Sequence, residues 1–237
     1  MINIKDKYSR TNICIQREQT SGEYVTKDYY SNKLSELKEY IDDTISTINN
    51  ANKVNINNVK LMYSPFEYVP DGLDWENLKN GDSILNGCES LKEFEQNLNE
   101  LVSADSMFNN CTAITSISIT TPRMEICNAM FNQCLALETL SEIDCTNVVS
   151  ADNILDGCVS LKNFGGFKNL KISIDISDCA SLTRDSCINI LNKLYNVKSI
   201  GETRTLKVHQ NFITLLTEDD KTIAINKGWN FNWDIIN

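Results

Sequence analysis

Apolar positions recur along the middle of this chain with a period near 23 residues. From Asp82 to Leu182 one phrase is written five times, as DSILNGCESLKEF, DSMFNNCTAITSI, NAMFNQCLALETL, DNILDGCVSLKNF and the shorter IDISDCASL. The cysteines Cys88, Cys111, Cys134, Cys158 and Cys179 advance by 23, 23, 24 and 21 residues. Two apolar residues precede most of them, as in Ile84-Leu85, Met107-Phe108, Met130-Phe131 and Ile154-Leu155. Three residues after each cysteine stands Leu91, Ile114, Leu137, Leu161 or Leu182, and three further on Phe94, Ile117, Leu140 or Phe164. A fixed period of this length describes stacked supersecondary units, each too small to bury its apolar side alone.

Within a unit, apolar residues at i, i+1 and i+4 before the cysteine predict one or two turns of helix with one face inward. The Leu-x-x-Ile part that follows predicts a short strand, clearest in Ile117-Ser118-Ile119. Asn86-Gly87, Asn109-Asn110 and Asp156-Gly157 predict left-handed or turn conformations at a tight corner. Stacking would bury the cysteines and the leucines behind them as continuous columns and pair each strand with the next. The predicted fold is an α/β repeat solenoid of leucine-rich repeats with short parallel strands over residues 69–182. Leu73, Trp75 and Leu78 are expected to close its first end.

The flanks carry other periods. Residues 1–29 hold two weak alternations, Ile2/Ile4 and Ile13/Ile15, which suit an extended docking arm. Residues 30–68 begin with a helix whose apolar positions Tyr30, Leu34, Leu37, Ile41, Thr44 and Ile48 step by 4, 3, 4, 3 and 4. That seam is either an amphipathic helix lying on its own chain or a short trimeric neck joined through Leu34, Leu37, Ile41 and Ile48. A strand or linker follows. Residues 183–237 read as an α/β cap. A helix opens at Thr183 and runs through Cys187, Ile190, Leu191 and Leu194; a strand covers Thr205 to Val208. A second helix runs from Ile213 to a Gly228 cap, and Trp229, Phe231 and Trp233 alternate in a terminal strand.

Charge narrows the partners. The chain carries a formal net charge of −10. Residues 71–182 hold seventeen Asp and Glu against six Lys and Arg, a net of −11, so the repeats carry nearly all of it. An acidic surface repels phosphate backbones, and nucleic acid is excluded as an expected partner. No run approaches the ~18–20 apolar residues of a membrane span, and the opening MINIKDKYSRTNI lacks the apolar core of a secretory signal.

Nine cysteines invite a disulfide or metal reading. The odd count, the absence of a C-x-x-C pair and the distance of His209 from any cysteine argue against both. Buried thiols behave as small apolar groups, and so many of them suit a chain assembled in a reducing cytosol. No catalytic constellation stands out. His209 falls in an expected strand without a nucleophile. Gly165-Gly166 lacks the flanks of a phosphate loop, and the carboxylate pairs Glu93/Glu95 and Glu142/Asp144 suit a solvated acidic face. No enzyme activity, cofactor or metal is expected.

The units around MFNNC, MFNQC and ILDGC, with their downstream leucines, resemble the BspA-type leucine-rich repeats of gut and oral bacteria. The tail resembles the segment that closes such arrays: Ser181-Leu182-Thr183, a Thr-Leu strand, Leu216 to Asp219, and Lys227 to Trp229. The resemblance covers Val69 to Trp233. Similar sequences occur in bacterial surface proteins and in structural proteins of phages infecting Bacteroides-like hosts. It implies a non-enzymatic display module, and the arm and heptad helix ahead of the repeats suit a virion fibre or decoration subunit assembled in the host cytoplasm. The partners then implied are the chain itself as a homotrimer, other virion proteins through the arm, and a host-surface glycan or protein. The alternative is an adhesion module at a bacterial cell surface.

Overall fold

The structure, a computed structural model, describes residues 55–57, 59 and 61–233. The arm and the heptad helix lie outside these residues. The described chain is of α/β class, with short parallel strands in sheets and few helices. The strands are β1 (Glu93–Asn97), β2 (Ser116–Thr120), β3 (Thr139–Leu140), β4 (Ile143–Asp144), β5 (Asn163–Phe164), β6 (Phe167–Lys168), β7 (Ile174–Ile176), β8 (Arg204–Val208) and β9 (Trp229–Asn232). Three α-helices lie among or after the last strands: α1 (Arg184–Lys193), α2 (Gln210–Leu215) and α3 (Glu218–Asn226).

Consecutive units meet in parallel register. Strands β1, β2, β3 and β5 form one sheet, β4 and β6 a second, and β7, β8 and β9 a third. Phe94 faces Ile117, Ile117 faces Leu140, and Leu140 faces Phe164, so the period seen in the sequence becomes a row of neighbours. A second row of parallel bridges joins Asn80, Ser103, Ile126 and Ser150. Contacts of the same kind begin upstream of Val69, in the stretch read as linker. Leu61 donates its amide to Ile84, and Tyr63 its amide to Asn86. Ile56 and Leu61 are fully buried in the same core as the repeat residues.

The segments before the cysteines are not helical. They run as successive turns in which alternate amides go to the next unit, Ser106 to Asn128, Phe108 to Met130 and Asn110 to Asn132, all near 2.9 Å, while Met107, Asn109 and Cys111 between them donate three residues back. Left-handed residues at two places per unit make this possible. One set is Ser83, Ser106, Ala129 and Asn153; the other is Tyr63, Gly87, Asn110, Gln133 and Gly157. A residue with positive φ breaks the helical path, and lateral bonding then takes the place of the i to i−4 ladder. The apolar pattern at i, i+1 and i+4 is also what a turn-built wall requires.

The inner face is densely apolar. Trp75, Phe94, Phe108 and Phe131 follow one another edge-on and then stacked, with centroids 4.9, 5.0 and 5.7 Å apart. Such aromatic contacts stabilise by about 0.5–1.5 kcal/mol each beyond their area.

Helix α1 closes the downstream edge of the first sheet. Thr183 caps it by accepting from the Ser186 amide. The buried Ser186 hydroxyl accepts the Phe164 amide at 2.9 Å and donates to the Lys162 carbonyl at 2.9 Å, so the last strand of the sheet finds partners without another strand. The Gly165-Gly166 pair serves packing rather than phosphate. A Cβ at Gly165 would stand 2.3 Å from the Glu142 nitrogen, and Gly166, at φ 95°, lies against the backbone of α1.

The expected second cap helix is two helices. Leu216 leaves the helical path at ψ 140°, and Thr217 and Asp220 form a capping box that starts α3. His209 is not in a strand. It is the single residue between β8 and α2 and caps α2, its Nδ1 accepting the Asn211 amide at 3.1 Å.

Candidate functional site

The residues singled out as repeat core lie inside. Cys88, Cys111, Cys134, Cys158 and Cys179, with Leu91, Ile114, Leu137 and Leu161, are at most 2% exposed, and Leu182 is 5% exposed. Four of the five thiols reach the unit before them: Cys88 donates to the Leu61 carbonyl at 3.1 Å, and Cys111 to Leu85, Cys134 to Phe108 and Cys158 to Phe131 at 3.2 Å. Burial pushes the Cys88 and Cys158 thiols up to about 12 and those of Cys134 and Cys179 well above their ordinary value. A buried, protonated thiol is a poor nucleophile and a poor metal ligand. All eight described cysteines are free thiols. Among the described residues no group of three or more His, Cys, Asp or Glu is placed to hold a metal ion. The column also has a head that the cysteine spacing conceals. Ser64, 1% exposed, follows Tyr63 as Cys88 follows Gly87 and Cys111 follows Asn110, and its hydroxyl has no partner among the described residues. The oligomerisation residues Leu34, Leu37, Ile41 and Ile48 lie outside the described residues.

The chemistry that can meet a partner is on the other face of the strands. Side chains alternate across a strand. On β1 Phe94 points inward, while Glu93, Glu95 and Asn97 are exposed; on β2 Ile117 and Ile119 are buried between Ser116, Ser118 and Thr120. Further along, strand carboxylates meet a cation on the next strand. Asp144 of β4 pairs with Lys168 of β6 at 2.8 Å, and Asp175 of β7 pairs with Lys207 of β8 at 2.9 Å. Burial alone would raise the Asp144 carboxyl, but the hydrogen bonds from Lys168 and Thr146 outweigh it and hold the group below its ordinary value. Asp175 is lowered in the same way by Ser177 and Lys207. Beside β3, Glu138 pairs with Lys162 at 2.9 Å, and Glu142 pairs with Lys193 of α1. The pair Glu142/Asp144 is thus tied down by two lysines.

Glu93 and Glu95 differ. The register places Ser116 and Ser118 opposite them, where β6 and β8 offer lysines, and among the described residues no cation pairs with either. Upstream, residues 67–69 run beside β1, held by the Lys92 amide donating to the Glu67 carbonyl at 2.8 Å. Pro70 has no amide hydrogen and ends that run. Tyr68 is left 58% exposed. Between this segment and the strands lies a cavity of about 210 Å³ lined by Tyr68, Val69, Glu93, Phe94, Glu95, Ser116 and Ser118. Phe94 meets it through the strand backbone, since its ring packs inward between Trp75 and Phe108. Both carboxylates are exposed.

Of these residues only the Glu93/Glu95 pair is legible as a candidate from the sequence. Tyr68, Ser116 and Ser118 have no motif. Their one signal is that they fall at the polar positions between the inward residues of neighbouring units. No family model, no curated protein and no solved structure matches this chain.

Proposed function

We propose that the chain is a BspA-type leucine-rich-repeat solenoid that works as a non-enzymatic recognition module, displayed on a phage particle through the segment ahead of the repeats. What carries this reading is the contrast between the two faces of the strands. The inner face is a saturated column of thiols, leucines and rings, and the outer face of β1 and β2, with Tyr68 beside it, holds two carboxylates and two hydroxyls without side-chain partners among the described residues. Rigid strands presenting unpaired polar groups around a small cavity make a binding surface rather than a reaction site. Repeat folds are general binding scaffolds, so the role is inferred from these residues and the displayed setting from the arm and heptad seam.

Two measurements test it. The full chain on glycan and peptide arrays is expected to give discrete signals that weaken in a Glu93→Gln/Glu95→Gln chain; uniformly blank arrays would overturn the recognition role. Light scattering is expected to give three copies for the full chain and one copy for a chain starting at Asn55. If both are monomers at micromolar concentration, the neck assignment is wrong.

A further inference from the structure

The cavity beside Tyr68 has a charge that nothing in the described protein balances. Strand carboxylates elsewhere, Asp144 and Asp175, face a lysine in the register position of the next strand. At Glu93 and Glu95 the register supplies hydroxyls instead. Two residues along a parallel strand advance roughly 6.6 Å, so both carboxylates stand on one side of the cavity, close enough to share one branched cation. Tyr68 offers a ring beside them. A volume of about 210 Å³ lies below the ~300–1,000 Å³ of pockets that hold a drug-sized molecule. It suits a single side chain.

We propose that this cavity receives the guanidinium of an arginine side chain carried by a partner polypeptide. Arginine fits three features at once. Its plane stacks on an aromatic ring, its fork of N–H donors reaches two acceptors in different directions, and its stem lies against the half-buried Val69. A lysine ammonium supplies the charge but not the fork or the plane. A neutral sugar can stack on Tyr68, yet it leaves both carboxylates unneutralised. The inference rests on the strand face being the recognition surface, and it names that surface's partner chemistry.

The test uses the full chain, with Nα-acetyl-arginine amide as the probe and Nα-acetyl-citrulline amide as its neutral isostere, followed by NMR shifts and calorimetry at low salt. Arginine amide is expected to bind in the millimolar range and to shift the resonances of residues 93–95 and 116–118. Citrulline amide should bind at least tenfold more weakly. Glu93→Gln/Glu95→Gln should weaken arginine binding by tenfold or more and Tyr68→Ala by about threefold, each with an unchanged melting temperature. Added salt should weaken binding to the unaltered chain. Equal binding of arginine and citrulline amides, or no shift at these residues at tens of millimolar, overturns the proposal. If arrays show glycan signals that depend on Glu93 and Glu95 while arginine amide does not bind, the arginine assignment falls and the recognition reading stands. Blank arrays together with no arginine binding remove both.

Discussion

At the residue scale, the column headed by Ser64 shows how one position is filled by different chemistry. Cys88, Cys111, Cys134 and Cys158 each spend a weak S–H donor on a carbonyl of the preceding unit, so sulfur gives both volume and a partner. Ser64 has a stronger donor and no hydrogen-bond partner among the described residues. A buried unsatisfied hydroxyl costs about 1–3 kcal/mol. Ser64→Ala is therefore expected to stabilise the protein by about 1 kcal/mol and to raise the melting temperature by about 2–4 °C, the scale for chains of this length. A lower melting temperature would mean that the hydroxyl has a partner after all.

At the element scale, the ends of the sheet decide what the cap must do. The last strand β5 presents the Phe164 amide to Ser186. Ser186→Ala leaves that N–H buried without an acceptor, and a loss of about 1–3 kcal/mol in denaturant unfolding is expected. The Lys162 carbonyl keeps the Thr183 amide and hydroxyl as donors, so the loss should not reach twice that. The lysine–carboxylate pairs add a pH dependence with a definite sign. Asp144 is depressed in the folded chain, so its contribution is fully present above its unfolded pKa and is lost as pH falls through the lower folded value. Between about pH 5 and about pH 3, across the ordinary carboxylate range, Asp144→Asn should lose less stability than the unaltered chain. Thermal melts across that interval measure it, and parallel losses would show that Lys168 contributes nothing through Asp144. Asp156 works the other way. Burial, with Asp178 and Asp175 nearby, raises its carboxyl, so its contribution falls as pH rises through the carboxylate range.

At the scale of the whole molecule, the described cysteines form a report on opening. Every one is buried, and burial pushes the Cys127 and Cys187 thiols up to about 12 as well. A thiol reagent at neutral pH is expected to find these groups silent in the native protein and to label all of them together when the chain unfolds, because the thiolate is the reacting form. Fast labelling of one residue, mapped by mass spectrometry, would mark a unit that opens by itself. The negative charge of the repeats acts at the same scale. It raises the local concentration of cations around the strand face, which favours the arginine-bearing partner proposed for the Tyr68 cavity.

The sequence by itself determined the rows of the core. A period near 23 with cysteine and leucine at fixed offsets already names Cys88, Leu91 and Phe94 as neighbours of Cys111, Ile114 and Ile117, because only translation by one unit superposes the apolar pattern on itself. It also marked α1, β8 and β9 in the cap, where Thr183 and the alternation of Trp229 and Phe231 are local signals. It misread the turns as helix, since apolar spacing over seven residues is the same for both and only the lateral hydrogen bonds separate them. It placed one helix where the capping box of Thr217 and Asp220 makes two. The outer face was decided by tertiary structure alone. Whether a strand glutamate is neutralised depends on which residue the register sets opposite it, lysine at Asp144 and Asp175 but serine at Glu93 and Glu95. That register is a property of two units together and is written in neither one.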